Sequence, residues 1–267
     1  MGFAHIVSLL AVITRVASAG ITRGKFLAGA AGCVAAVPLA CEAYARAPSW
    51  TRDRLPPLPV DRSSETLTIV IPGAGGPDEN SRRIALALQG TEYDWSPFVG
   101  DQLQAPYNAE RVGEFLAAEL GRERMPRLRH VHVVGVSVGA FAADKLVAAL
   151  RKQNIDATLR LTLLDPFTAR GLPGLVRPAT AYGVRRFGWT ADVAECVFNS
   201  DDPVPSTSLP LEGCVNFDIT RVGERALFTP LPGDSLHSWP AAWFGMNPLA
   251  LAGAGRELER GQVVALH

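Results

Sequence analysis

The feature that most constrains this chain is an apolar run ending in a Gly-x-Ser-x-Gly pentapeptide. Residues 131–136 have the pattern of a β-strand, and apolar side chains at helical spacing follow the pentapeptide. Such a turn places the hydroxyl of Ser137 above the edge of a parallel sheet. Gly135 and Gly139 leave room there, since a side chain would collide with the neighbouring strand or helix. The pattern predicts a nucleophilic serine, and the alternative is a purely structural turn.

The composition is that of a globular protein. The 267 residues are 48% hydrophobic, which is enough for one sizeable core without a second domain. The 26 basic and 26 acidic side chains balance, and this argues against a nucleic-acid partner, which would call for a basic face. The sequence has no Cys-x-x-Cys or His-Glu-x-x-His, so neither a metal nor an organic cofactor is expected.

Residues 1–47 have the character of an export leader. A basic segment at 22–27 precedes an apolar run from Ala28 to Ala40 and an Ala-x-Ala site at 43–45. Gly24 stands where a twin-arginine motif has its second arginine, so Sec export and a degenerate twin-arginine signal both fit. We expect a periplasmic or extracellular protein.

The leader leaves other interpretations open. A similar apolar run at residues 3–14 precedes the run from Ala28 to Ala40. An assigned start site that lies too far upstream would explain this second run. An uncleaved leader would associate with a membrane, although both runs are shorter than the roughly 20 residues of a spanning helix. Cys41 suggests a lipoprotein, but Pro38 occupies the place of the expected leucine.

The remainder divides into a proline-rich lead-in at 48–64, predicted to be a stiff spacer, and a domain at 65–267.

Cys196 and Cys214 lie on consecutive predicted strands. A disulfide between them is feasible in an oxidising compartment, and two buried free thiols are the alternative.

The domain alternates strands with helices. Its predicted strands are 67–71, 131–136, 159–164, 193–198 and 215–219, and helices are predicted at 108–120 and after Ser137. This alternation predicts an α/β domain with a mostly parallel sheet and helices on both faces. Sites in such sheets form beyond the carboxyl ends of the strands, where the polar residues considered next all lie.

A serine hydroxyl needs a base to remove its proton, and the base needs an acid to orient it. Elimination points to His237, because the other histidines lie in the leader, at the terminus or on the strand before Ser137. Two aspartates end consecutive strands after the nucleophile, Asp165 in Leu-Asp-Pro and Asp202 in Asp-Pro-Val-Pro. The order Ser, Asp, His holds for either one.

Acyl transfer also requires donors for the oxyanion that develops in the reaction. One expected donor is the backbone N–H of Val138, which directly follows the serine. The other is expected from the glycine-rich loop after the first strand, at Ala74 or Gly75. That loop lacks the Gly-Lys-Ser/Thr ending of a phosphate-binding loop, and a structural turn is its alternative.

Together these residues resemble the α/β-hydrolase superfamily over about residues 65–245. The segment Leu163–Pro166 is similar to that of pancreatic-type lipases, in which the acid follows the strand directly after the nucleophile strand. This favours Asp165 as the acid. The segment 202–205 resembles the more usual arrangement, with the acid one strand later, and residues 237–240 are similar to catalytic-histidine segments of bacterial members.

The resemblance implies a single-domain esterase or lipase. Its oxyanion loop has Pro72-Gly73 in place of the lipase His-Gly, and the connection from Phe167 to Asp192 is short for a large lid. We therefore expect an exported serine hydrolase of small-molecule or lipid esters, with Ser137, His237 and Asp165 as its catalytic residues. The alternatives are an acyltransferase using the same residues and a non-catalytic binding protein on the same fold.

Apolar side chains in that connection have two interpretations. They could line an acyl site or simply cover the sheet, and the second is the default expectation for apolar residues. They are Leu172, Leu175, Val184, Phe187 and Trp189.

Overall fold

The structure is a computed structural model, and it describes residues 40–48, 50, 54–123, 125–170, 181–204, 206–230, 235–251 and 258–267. The chain divides into two compact units between Ala47 and Pro48. In the first unit residues 40–46 are helical, and Arg46 pairs with Glu42 at 2.8 Å, one helical turn apart. The second unit is an α/β domain.

Within the described residues of this domain, seven parallel strands form one sheet, in the order β2-β1-β3-β4-β5-β6-β7. The strands are β1 (Thr66–Ile71), β2 (Thr91–Glu92), β3 (His130–Val136), β4 (Thr158–Leu164), β5 (Val193–Phe198), β6 (Val215–Asp218) and β7 (Val263–Ala265). The central strands are almost wholly buried because helices cover both faces of the sheet, as a parallel sheet requires.

The described α-helices of the second unit are α1 (Glu79–Ala87), α2 (Ala105–Glu123), α3 (Gly139–Lys152), α4 (Tyr182–Arg186) and α5 (Trp239–Met246). Helices α2 and α3 pack against each other and bury their apolar side chains in one core cluster. Helices α1 and α5 pack together and contribute to a second cluster, with different side chains of the same strands. The predicted fold class is therefore confirmed.

The structure adds elements that the sequence patterns did not predict, namely α1, β2, α4, α5 and β7. Helix α5 lacks an amphipathic pattern because seven of its eight residues are buried. Strand β2 has only two residues, too few to show any alternation. Helix α2 begins three residues before the predicted start at Asn108.

The proline-rich lead-in packs onto the domain and is not a spacer. Trp50, Leu55 and Leu58 are each less than 10% exposed and belong to the core cluster under α2 and α3. The Tyr93 hydroxyl donates a hydrogen bond to the carbonyl of Pro56 at 2.8 Å. Burial of these apolar side chains, rather than proline stiffness, determines the path of the segment.

Cys196 and Cys214 are buried free thiols in the structure, which corresponds to the second of the two alternatives. The question of a membrane anchor rests on residues 1–39, which lie outside the described part of the chain. Within the described ranges, no helix combines the length and the apolar character needed to cross a bilayer.

The strand order places a crevice between two particular strands. From β1 the chain moves to β2 on one side and then returns to β3 on the other. In open α/β sheets ligands bind beyond the carboxyl ends of the strands at such a reversal. The glycine-rich loop follows β1 and Ser137 follows β3, so both lie at this point.

Candidate active site

Ser137 occupies a strained turn between β3 and α3. Its φ of 52° lies in the left-handed region that residues with side chains rarely adopt. Three backbone hydrogen bonds hold it there: its N–H donates to Leu164 at 3.0 Å, and its carbonyl accepts from Ala140 and Phe167, both at 3.1 Å. Strain held by several contacts is typical of functional residues.

The glycines of the pentapeptide are required by close packing. A Cβ on Gly139 would lie 2.5 Å from the carbonyl oxygens of Ile71 and Pro72, at the end of β1. A Cβ on Gly135 would lie 2.7 Å from the Cβ of Ala143 in α3. The expected collisions with the neighbouring strand and helix are therefore present.

His237 lies in a single 3₁₀ turn, Leu236–Ser238, directly before α5. The Ser235 hydroxyl caps this turn by accepting from the His237 backbone N–H at 3.2 Å. The side chain of Asn199, after β5, donates to the Leu236 carbonyl at 3.3 Å. The imidazole Nε2 is buried and has no hydrogen-bond partner among the described residues.

Both aspartates reach the other nitrogen of this imidazole. The distance from His237 Nδ1 to Oδ2 is 2.7 Å for Asp202 and 3.2 Å for Asp165. The two carboxyl side chains are 0% and 1% exposed, respectively. An Nδ1–H that donates to a carboxyl group leaves the lone pair on Nε2, the atom that a base uses to take a proton.

The three side chains strongly affect one another's pKa values. Burial raises the pKa of Asp165 to about 7, although the His237 hydrogen bond acts in the opposite sense. Burial would raise the pKa of Asp202 as well, but hydrogen bonds involving His237, Asp165 and Thr207 outweigh it and lower the value to about 2. Burial lowers the pKa of His237, while the two carboxyl groups overcompensate and raise it to about 9.

Two backbone N–H groups are available near Ser137. The N–H groups of Val138 and Ala74 make no backbone hydrogen bond within the described residues, and both residues line the same cavity as Ser137. Gly75 is exposed and is not among the described lining residues. Of the two donors expected from the glycine-rich loop, Ala74 is thus the one that borders the cavity.

This cavity has a volume of about 400 Å³ and contains Ser137 and His237 in its wall. Its other described lining residues are Ala74, Val99, Gly100, Asp101, Gln102, Ala105, Val138, Phe167 and Val204. Most of these side chains are apolar, and none is a lysine or arginine. The wall therefore suits an uncharged, partly apolar ligand.

The sequence patterns did not indicate that the segment 99–105 would form part of the cavity wall. These residues lie between the short 3₁₀ turn Ser96–Phe98 and α2, and they carry no recognisable catalytic motif. From the connection between residues 167 and 192, Phe167 lines the cavity. The five apolar residues that the sequence analysis considered for an acyl site are not among the described lining residues.

Those predicted residues lie elsewhere or outside the described ranges. Phe187 packs on Phe141 with ring centroids 4.9 Å apart, Trp189 is 53% exposed, and Val184 is not among the described lining residues. Leu172 and Leu175 lie outside the described residues.

The side chains of Asp165, Asp202 and His237 also have a spacing suitable for a metal ion. One ligand atom each from Asp165, Asp202 and His237 lies within 4.8 Å of the other two. Hydrogen bonds among these atoms, and from Thr207 and Ser208 to the carboxylates, already account for the arrangement. Hydrogen bonding is therefore a sufficient explanation of this cluster.

Comparison of the chain with protein-family models finds no match, and comparison with curated proteins finds none either.

Proposed function

We propose that this protein is a serine hydrolase of the α/β-hydrolase type that cleaves carboxylic esters. The observation that carries the proposal is the shared cavity, whose wall contains both Ser137 and His237, and the buried His237 Nε2 has no hydrogen-bond partner among the described residues. Carboxyl groups of Asp165 and Asp202 contact the opposite nitrogen of the same imidazole. A nucleophile, a base and an orienting acid are the groups that acyl transfer requires.

In the proposed reaction, the Ser137 hydroxyl attacks the acyl carbon while its proton passes to His237 Nε2. The backbone N–H groups of Val138 and Ala74 hold the oxyanion, and the resulting imidazolium returns the proton to the leaving alcohol. Water then attacks the acyl carbon and gives a proton to His237 Nε2, which passes it to the Ser137 oxygen as the carboxylic acid leaves. The carboxyl groups at Nδ1 keep the imidazole in the tautomer that leaves Nε2 free.

The cavity supports a neutral ester with a modest acyl group. Its described wall offers no cation for an anionic substrate, and its apolar side chains favour a hydrocarbon portion. Phe167 and Val204 lie on this wall beside the two catalytic side chains. We expect activity to be highest on short to medium acyl chains in aqueous solution, without an interface.

Hydrolysis of p-nitrophenyl esters from C2 to C16 tests the proposal. Ser137→Ala should lower kcat/KM by about 10⁵-fold or more, since no other group can form the acyl-enzyme. Ser63→Ala is the matched control, because Ser63 is an exposed turn residue that bonds only to Asp61 among its described partners. The control should retain full activity.

Labelling by a fluorophosphonate tests the nucleophile without a substrate. The wild-type chain should be labelled at Ser137, and Ser137→Ala should not be. Labelling without ester hydrolysis would favour an acyltransferase that lacks its acceptor. A folded wild-type chain with neither labelling nor turnover would overturn the proposal in favour of a non-catalytic binding protein.

Export of the protein is a separate part of the proposal. It rests on the basic, apolar and Ala-x-Ala segments of residues 22–45. The intact mass of the chain recovered from a secreting bacterial host should correspond to cleavage after Ala45. A full-length mass in the membrane fraction would instead indicate an uncleaved anchor.

A further inference from the structure

Two carboxyl groups on one imidazole nitrogen exceed what a catalytic triad needs. Asp165 ends β4 with a φ of 42°, and Asp202 lies in the turn after the neighbouring strand β5. The two strands are paired in register, so their carboxyl ends lie side by side and both side chains reach His237. Nδ1 carries one proton and can donate fully to only one of them.

The hydrogen bonds around the two carboxyl groups differ. Asp202 accepts from the Val204 backbone N–H at 3.0 Å and from His237 at the shorter distance, and it shares the single proton of the Thr207 hydroxyl with the Val204 carbonyl. Apart from His237, the described residues offer Asp165 one donor, the Ser208 backbone N–H, at 3.1 Å. Because hydrogen-bond donors stabilise the ionised form of a carboxyl group, the negative charge is favoured on Asp202.

One carboxyl oxygen of Asp165 and one of Asp202 lie within 4.8 Å of each other. A carboxylate is an acceptor only, so a hydrogen bond between two such groups requires a proton on one of them. Two adjacent carboxylates and an imidazolium would place three charges in a buried site. One carboxylate, one carboxylic acid and a neutral imidazole place a single charge there, which costs far less desolvation.

We propose that Asp165 and Asp202 act as one acid that holds a single proton and a single negative charge. Asp202 carries the charge and accepts from His237 Nδ1, while Asp165 stays protonated and donates to Asp202. Asp202 is thus the acid of the triad, and Asp165 is a positioning residue that acts through it. This inference rests on the proposed function.

The charge on the two carboxyl groups determines whether His237 can act as a base. Each carboxylate beside His237 favours its protonated form, and an imidazolium cannot accept the proton of Ser137. A proton on Asp165 removes one of the two charges and leaves His237 neutral near pH 7. Burial raises the pKa of the nearby Cys196 thiol, which therefore stays uncharged and adds no further charge beside the two carboxyl groups.

The variants Asp165→Asn and Asp202→Asn separate the two roles. An amide at position 165 can still donate to Asp202, so kcat/KM should remain within about 10-fold of the wild-type value. An amide at 202 removes the charge that pairs with the imidazolium and should lower kcat by about 10²-fold or more. The reverse ranking of the two variants would overturn the inference.

The pH dependence of kcat/KM distinguishes this role from a merely structural one. If Asp165 holds the proton, wild type and Asp165→Asn should lose activity at the same acidic pH, because His237 faces one negative charge in both. If both carboxyl groups were ionised, the wild-type profile would begin near pH 9 and would move down by a unit or more in the variant. That outcome would contradict the proposal.

An infrared measurement tests the inference even if no substrate is found. The difference spectrum between wild type and Asp165→Asn at pH 7 should contain the C=O band of a protonated carboxylic acid. A carboxylate band in its place would refute the shared proton. Because this measurement requires no turnover, its failure is distinguishable from failure of the proposed function.

Discussion

Two histidines of this protein are largely buried, and their surroundings give them opposite properties. His132, inside β3, bonds through Nε2 to the Thr162 hydroxyl at 2.9 Å, and that hydroxyl donates to Glu195 at 3.1 Å. Since the hydroxyl proton is used on Glu195, His132 must be the donor and carries its proton on Nε2. In His237, Nδ1 contacts the two carboxyl groups, and Nε2 has no hydrogen-bond partner among the described residues.

The charged groups beside the two imidazole rings also differ. Burial, followed by the charge of Arg160, lowers the pKa of His132 to about 3. Arg160 pairs with Glu195 at 2.8 Å, so the nearest carboxylate is already neutralised. His237 instead contacts carboxyl groups directly, and they raise its pKa. Burial lowers the pKa of both histidines, so direct contact with carboxyl groups accounts for the opposite direction of the shift at His237.

Among the changes that test this comparison, replacing His237 or His132 by glutamine should have the largest effect. His237→Gln should lower kcat/KM by about 10⁴-fold or more with little change in Tm, because the base is lost while the turn is retained. His132→Gln should do the opposite, lowering Tm while kcat stays within a few-fold. Ester hydrolysis and thermal unfolding check both. A His132→Gln enzyme that folds normally but has lost its activity would break the comparison.

Arg160→Met should cost about 3–5 kcal/mol of unfolding free energy, because it leaves the 1% exposed Glu195 side chain buried without its ion pair. Urea denaturation measures this cost. The same change should raise the pKa of His132, followed by NMR, since the charge that opposes its protonation is gone. An unchanged pKa would mean that Arg160 plays no part in keeping His132 neutral.

The smallest effect is a slope of stability with pH. His132 has a folded pKa of about 3 and an unfolded value of 6.5, so below pH 6.5 the unfolded chain binds a proton that the folded chain does not. Stability is therefore lost as the pH falls. Between pH 6.5 and 5 this amounts to about 2 kcal/mol.

His132→Gln should reduce this loss on acidification, as measured by urea denaturation at pH 5 and pH 7. An identical slope in wild type and variant would show that other groups cause it.

Much of this architecture was predictable because it rests on local patterns. Five strands were predicted within two residues of their ends, since each is a short apolar run bounded by turn residues. The pentapeptide around Ser137 indicated the strand-turn-helix that the structure contains. Helix α5 escaped prediction because a segment buried on nearly every side has no polar face to produce a helical period.

The sequence alone determined the parallel sheet, the turn that presents Ser137, and a short set of polar residues at the carboxyl ends of strands. These follow from periodicity and from glycine positions, which are local properties. It could not choose between Asp165 and Asp202, because each follows a strand in the same way. Only the tertiary structure places both beside His237, since paired strands β4 and β5 bring residues 37 positions apart in the chain to within reach of one nitrogen.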